Sequence, residues 1–88
     1  TKYLAERLDA QSALRVLEAS EGDRIHPGGV WIAPGNFHLE VLGRVGDWHA
    51  KLHQGPAENF CRPAVDVLFR SAAHHAGPRT LAVVLTGM

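Results

Sequence analysis

Only one cysteine, Cys61, stands in the sequence, so no internal disulfide can form and packing must hold the fold. That usage suits an intracellular protein rather than a secreted disulfide scaffold. Neither charge is in excess: nine basic residues balance nine acidic ones with the histidines neutral. The balance removes the electrostatic ground for a nucleic-acid or anionic-membrane partner. It also leaves little self-repulsion, which suits a segment surrounded by other protein. Long apolar runs are missing as well. The longest, Leu81–Leu85, falls far short of the ~20 residues a membrane-spanning helix needs. The opening Thr1–Glu6 stretch shows no charged region followed by an apolar one, so it does not read as a secretion signal. There is no internal repeat or low-complexity stretch, and 45% apolar residues mark a globular chain rather than a disordered one.

What is present divides into recognisable elements. Thr1 is a helix-cap residue, and Leu4, Ala5, Leu8 and Ala10 predict a helix over 2–11 with an apolar stripe. Residues 14–19 alternate partly as a strand does, and 20–29 form a turn-rich connector. Val30–Ala33 is a short strand stopped by Pro34-Gly35. His38–Leu42 and Trp48–Leu52 predict two further strands, with Gly43–Asp47 as the hairpin loop. Pro63 suits a first helical turn. Ala64, Val65, Leu68, Phe69, Ala72 and Ala76 then recur at helical spacing, leaving Asp66, Arg70 and His74 toward solvent. Gly77-Pro78 stops that helix. Thr80–Leu85 is apolar on both faces, as a strand covered by helices on each side requires.

The fold class that follows is α/β: part of a doubly wound, mostly parallel sheet, Rossmann-like and three-layered, with an inserted β-hairpin. Two helices and about four short strands do not close such a sandwich. A central strand at Leu81–Leu85 would keep uncovered apolar surface and unpaired backbone. The expectation is therefore an internal piece of a larger domain, whose first residue, Thr1, is not an initiating Met.

Four stretches in register resemble one family. They are Tyr3-Leu4-Ala5-Glu6-Arg7-Leu8-Asp9, Ile32-Ala33-Pro34-Gly35 with His38-Leu39-Glu40, and Arg62-Pro63-Ala64-Val65-Asp66-Val67-Leu68-Phe69-Arg70-Ser71-Ala72-Ala73. The last is Ala76-Gly77 leading into Ala82-Val83-Val84-Leu85-Thr86-Gly87-Met88. Together they are similar, over nearly the whole chain, to the catalytic domain of CheB-type chemotaxis protein-glutamate methylesterases. The resemblance implies hydrolysis of glutamate methyl esters, and deamidation of glutamines, on methyl-accepting chemotaxis receptors. It implies a Ser-His-Asp triad, no metal or organic cofactor, a cytoplasmic setting and an N-terminal phosphoacceptor regulator domain in the parent protein. In the family the Ser lies in a Ser-Thr-Gly-Gly turn and the His in a His-Met-Pro stretch, both ahead of the residues matched by this chain. The Asp lies in a Gly-x-Asp-Gly motif after the position of Met88. Residues 1–88 are thus expected to be a partial methylesterase domain without a catalytic residue and inactive alone. Thr86, Gly87 and Met88 are expected to line the active site. Cys61 and Ala64 depart from the His and Ser common in the family's signature. The competing readings are a catalytically degenerate module that binds receptor or another partner, and a free-standing α/β binding module outside the family.

Several side chains invite sharper chemistry. His49 and His53 have helical spacing but fall in strand and turn, which is not expected to bring them onto one face, and His74 and His75 adjoin. Zinc needs convergent ligands, and bare spacing does not supply them. Surface roles are expected for these histidines, and a structural or surface role for His38. Cys61, a lone cysteine before a helix, is expected to be inert. Ser71 is mid-helix and expected to face solvent or bond its own backbone. Neither Ser71 nor Thr86 sits on a nucleophile elbow. Asp66 fits the first turn of its helix through the macrodipole. Gly28-Gly29 and Pro34-Gly35 are turns, since no Gly-x-Gly-x-x-Gly spacing follows a strand.

Overall fold

The structure, a computed structural model, describes residues 1–85. It opens with α1 (Lys2–Gln11), which ends where Ser12 turns extended. Thr1 does not cap with its side chain; its carbonyl accepts the Ala5 N–H, and its hydroxyl bonds the Glu18 carboxylate. Of the expected stripe only Ala5 is buried, while Leu4 and Leu8 stay exposed, because β1 alone packs closely against this helix among the described residues.

Two sheets follow. β1 (Arg15–Glu18) pairs in parallel with β3 (Gly29–Ile32), Val16 opposite Val30 and Leu17 opposite Trp31. Asp9 ties α1 to this pair by accepting the Val16 N–H at 2.8 Å. The connector at 20–29 is less uniform than its composition suggests. After a turn at Ser20–Asp23, Arg24–Ile25 forms β2 and joins the second sheet. Two residues are too few to show alternation, so no strand signal precedes it. The second sheet has the order β2-β5-β4, with β4 (His38–Arg44) and β5 (Asp47–His53) antiparallel.

The hairpin loop is tighter than the expected Gly43–Asp47. Arg44 pairs with Asp47, leaving Val45 and Gly46 at the turn. Gly43 lies inside the ladder opposite Trp48 with φ 111°, and a Cβ there would fall 2.2 Å from the Asp47 carbonyl oxygen. Antiparallel pairing then sorts the two faces. Leu39, Val41, Ala50 and Leu52 fall on one, and His38, Glu40, Lys51 and His53 on the other.

Helix α2 (Val65–His75) begins after Ala64, whose backbone is extended; Pro63 precedes the cap instead of opening the first turn. Asp66, Arg70 and His74 are exposed as expected, but the buried stripe runs through Ala64, Val67, Leu68 and Ser71, and Val65 lies outside it. This stripe keeps the i, i+3, i+4, i+7 spacing of a packed helix face. The core joins both sheets to α2: Ala19, Leu39 and Ala50 are buried, with Ile25, Trp31, Ala33, Leu52 and Leu68 packed around them. A short 3-10 turn, Gly77–Arg79, then ends the helical region at the Gly77-Pro78 stop.

The expected strand at Thr80–Leu85 is not formed among the described residues. Leu81 and Leu85 are 87% and 92% exposed. A strand exists only through its ladder, and no neighbour pairs with this segment among the described residues, however suitable its apolar pattern.

Candidate functional site

A cluster of polar side chains forms where α2 lies along the outer edge of β4. An edge strand presents unpaired N–H groups that must find acceptors. Here α2 supplies them from its side chains. Val41 donates to Ser71 Oγ at 2.9 Å, and Ser71 in turn donates to the Leu68 carbonyl at 2.8 Å. His75 Nδ1 lies 3.2 Å from the Gly43 nitrogen and 3.1 Å from its carbonyl oxygen; one tautomer accepts from the first and the other donates to the second. Ser71 is therefore buried and cross-linking: it bonds its own helix backbone at Leu68, one of the two expected places, and does not face solvent, the other. The signal that could have found it is its i+4 spacing from Val67 on the face that packs against β4.

Beside this edge a cleft of about 300 Å³ opens, lined by His38, Glu40, His53, Ser71, Arg70 and His75 among others. His38 is 1% exposed and has both ring nitrogens engaged. Ala64 N–H donates to Nδ1 at 3.2 Å and Nε2 donates to the Pro56 carbonyl at 2.8 Å, which selects the Nε2–H tautomer. The His53 ring lies 5.3 Å away, centroid to centroid. Its Nδ1 accepts the Gly55 N–H at 3.1 Å. Its Nε2 sits 2.7 Å from Glu40 Oε2, at an angle too bent for a straight hydrogen bond.

The loop between β5 and α2 is held as firmly as the cleft. Arg62 reaches Asn36 Oδ1 from Nε at 3.1 Å and from Nη2 at 2.7 Å, and its Nη1 donates to the Gln54 and Gly55 carbonyls. Glu58 and Cys61 exchange both backbone hydrogen bonds. Asn59 Nδ2 donates to Asp66 Oδ2 at 3.2 Å, giving Asp66 a loop-anchoring contact besides its place in the first helical turn. Arg70 Nη2 meets Glu58 Oε2 at 2.7 Å, and this hydrogen bond and the adjacent negative charge hold the guanidinium proton above arginine's ordinary range. Cys61 is exposed on this loop.

These contacts define what the site can do. Nucleophilic hydrolysis needs a hydroxyl or thiol hydrogen-bonded to a base, itself oriented by a third group. Among the described residues Thr1 bonds the Glu18 carboxylate, but no third group orients that carboxylate, and no hydroxyl or thiol bonds a histidine. Ser71 bonds backbone, Ser12 accepts the Leu14 N–H, and Thr80 reaches the Ala72 carbonyl. Of the cleft's histidines, His38, His53 and His75 bond backbone groups. No three His, Cys, Asp or Glu side chains converge as a metal-ligand set among the described residues. His49 and His53, expected on different faces, in fact share the polar face of β5, since four residues is an even step along a strand. Their backbones are then roughly 13 Å apart, too far for one ion. Thr86, Gly87 and Met88, expected to line an active site, lie outside the described residues. No described helix is long and apolar enough to cross a membrane.

Comparison with known proteins gives a consistent answer. The family model described as CheB methylesterase matches residues 1–88. A protein-glutamate methylesterase/protein-glutamine glutaminase from a Nocardioides species is 52% identical over all 88 residues, which cover 24% of that protein. Proteins of the same name from Bdellovibrio bacteriovorus and Salmonella typhimurium are 49% and 46% identical over the whole chain, which covers 25% of each. The chain thus spans about a quarter of the length of these relatives. Among solved structures, the Thermotoga maritima CheB methylesterase catalytic domain superposes with a TM-score of 0.78 at 44% identity, covering 84% of this chain and 39% of that one.

Proposed function

The chain belongs to the CheB methylesterase family, and we propose from that premise that it forms part of a protein-glutamate methylesterase and glutamine deamidase. The substrates are glutamate methyl esters and glutamines of methyl-accepting chemotaxis receptors. The catalytic Ser, His and Asp come from segments outside these 88 residues. The observation that carries this reading is the match along the entire chain, at about half identity, to relatives of that name. The internal bonding of Ser71, His38, His53 and His75 supports the division of labour, because it leaves these groups holding the fold and not reacting.

In this reading Thr86, Gly87 and Met88 line the active site, no cofactor or metal is required, and the parent carries a phosphoacceptor regulator domain and works in the cytoplasm. The α2–hairpin unit acts as scaffold. The test is methanol release from methylated receptor. The complete protein is expected to release methanol and the 88-residue chain none; enzyme-dependent release by the short chain would overturn the assignment of the triad.

A further inference from the structure

Both ends of the β5–α2 loop are held by imidazole lone pairs. At its start the Gly55 N–H donates to His53 Nδ1 at 3.1 Å, and at its end the Ala64 N–H donates to His38 Nδ1 at 3.2 Å. His38 also donates from Nε2 to the Pro56 carbonyl, so this one ring grips the loop near each end. It is 1% exposed, and its centroid lies 5.3 Å from that of His53. These are contacts inside the fold, and burial of this kind only deepens when more protein surrounds it.

An Nδ1 that accepts exists only on a neutral ring whose other nitrogen carries the proton. Imidazole ordinarily takes its second proton at about pH 6.5, and both nitrogens are then donors. A protonated Nδ1 would meet the Ala64 or Gly55 N–H donor to donor, and the bond is lost. Other charged groups surround the two rings. Glu40 Oε2 on β4 lies 2.7 Å from His53 Nε2, and Lys51 on β5 stands opposite Glu40. Both belong to the hairpin, so they stay beside His53 whether the loop is closed or open. The loop contributes Glu58 and Arg62, and α2 contributes Arg70, His74 and His75. Glu58 is taken up by Arg70, while His74 and His75, when charged, add repulsion to a charged ring in the cleft.

We infer that His38 and His53 form an acid-sensitive clasp: their neutral rings hold the two ends of the 54–64 loop, and a proton on either Nδ1 lets that end go. Linkage sets the sign. The open loop leaves Nδ1 free to take a proton that the closed loop excludes, so acid favours opening. The clasp is complete above the imidazole titration and is lost as pH falls through it. Arginine and carboxylate groups ordinarily keep their charge down to about pH 5. The Arg62 bonds to Asn36, Gln54 and Gly55 and the Arg70–Glu58 pair therefore persist, and the loop loosens at its ends without leaving the fold.

The test follows amide hydrogen exchange in the complete protein between about pH 7.5 and 5.5, a window that brackets imidazole titration and stays above that of carboxylates. Rates are corrected for the intrinsic pH dependence of exchange. Protection at Ala64 and Gly55 is expected to fall about tenfold toward acid, while Phe69 and Ala72 inside α2 keep theirs. His38→Asn retains an acceptor for the Ala64 N–H that takes no proton in this window. Its Ala64 protection should stay within about twofold throughout, and His53→Asn should do the same for Gly55.

Wild-type protection at Ala64 that is flat within about twofold would overturn the inference. So would an equal fall in His38→Asn, which moves the cause to other titrating groups. A parallel fall at Phe69 and Ala72 would also overturn it, because the whole unit is then unfolding. Should His38→Asn fail to fold, nitrogen NMR of the wild-type histidine rings decides. His38 Nδ1 is expected to pass from the neutral acceptor to the imidazolium signal over the same pH interval in which Ala64 loses protection. A ring that stays neutral while that amide opens removes the clasp.

Discussion

Replacing His38 by Leu tests whether the cleft is a structural joint or a reactive site. The ring is almost fully buried and satisfies two backbone groups, the Ala64 N–H ahead of α2 and the Pro56 carbonyl ahead of the loop. Leucine fills much of the same space but leaves both without a partner. Each orphaned group costs roughly 1–3 kcal/mol, the buried Ala64 N–H toward the upper end and the part-buried Pro56 carbonyl toward the lower. Greater apolar burial returns about 1 kcal/mol, so the net loss should be about 1–5 kcal/mol.

The two nitrogens can be separated. Asn places its amide oxygen near the site of Nδ1 and retains the Ala64 acceptor. Gln places its amide nitrogen near the site of Nε2 and retains the Pro56 donor. Each is expected to lose about half of what Leu loses. Urea midpoints give the ranking, and hydrogen exchange at the Ala64 amide gives the cause: protection kept in His38→Asn, lost in His38→Gln and His38→Leu. The reasoning is refuted if Leu costs under about 0.5 kcal/mol, or if Ala64 exchanges alike in all three. Activity of the complete protein should fall only with the folded fraction; a specific loss in a fully folded His38→Asn variant would make His38 a participant in the chemistry.

Other expectations are narrower. Ser71→Ala leaves the half-buried Val41 N–H without its acceptor and should cost about 1–2 kcal/mol, with faster exchange at the Val41 amide as the local signature. Gly43→Ala should destabilise far more than Gly46→Ala, since its Cβ meets the Asp47 carbonyl oxygen at 2.2 Å whereas a Cβ at Gly46 meets nothing within 4 Å. Both suffer positive φ, worth about 1–2 kcal/mol, so similar urea midpoints would show that the ladder shifts to accommodate the methyl. Arg62→Lys keeps the charge but not the planar fork that spans Asn36 Oδ1 and two carbonyls; proteolysis between Gln54 and Pro63 should quicken while the global midpoint moves little. The Arg70–Glu58 contact raises the Arg70 pKa above its ordinary value, so whatever stability it gives is held throughout neutral pH and lost only as pH rises through the folded value. Its contribution should therefore respond to added salt and not to pH between about 5 and 9, read by the midpoint difference between wild type and Arg70→Gln.

Much of the fold is legible in the sequence because its elements repeat their own period. The helix over 2–11, the strands at 14–19, 30–33, 38–42 and 48–52, and the Gly77-Pro78 stop all stand close to where patterning puts them. The misses come from interactions that no period encodes. Arg24–Ile25 becomes a strand because β5 offers it an edge, not because its residues alternate. The buried stripe of α2 passes through Ser71, since an edge strand needs an acceptor where a polar residue would ordinarily turn to solvent. Thr80–Leu85 carries a strong strand pattern yet has no ladder among the described residues, so pattern and pairing separate there. The family resemblance, by contrast, was legible from four short stretches in register, because shared order and spacing are properties of sequence alone.

The same reasoning explains why six histidines and several hydroxyls assemble no hydrolytic site among the described residues. Reactivity requires a nucleophile, a base and an orienting group whose hydrogen bonds point at one another. In this fold the corresponding groups point at backbone: His38 at Ala64 and Pro56, His53 at Gly55, His75 at Gly43, Ser71 at Val41 and Leu68. Each of those targets belongs to the outer edge of β4, to the loop or to the start of α2. The polar residues therefore fix one arrangement of hairpin, loop and helix, and they do so with directional bonds where the small apolar core of Ala19, Leu39 and Ala50 supplies few shape constraints. The anchoring of the β5–α2 loop is the product of that network.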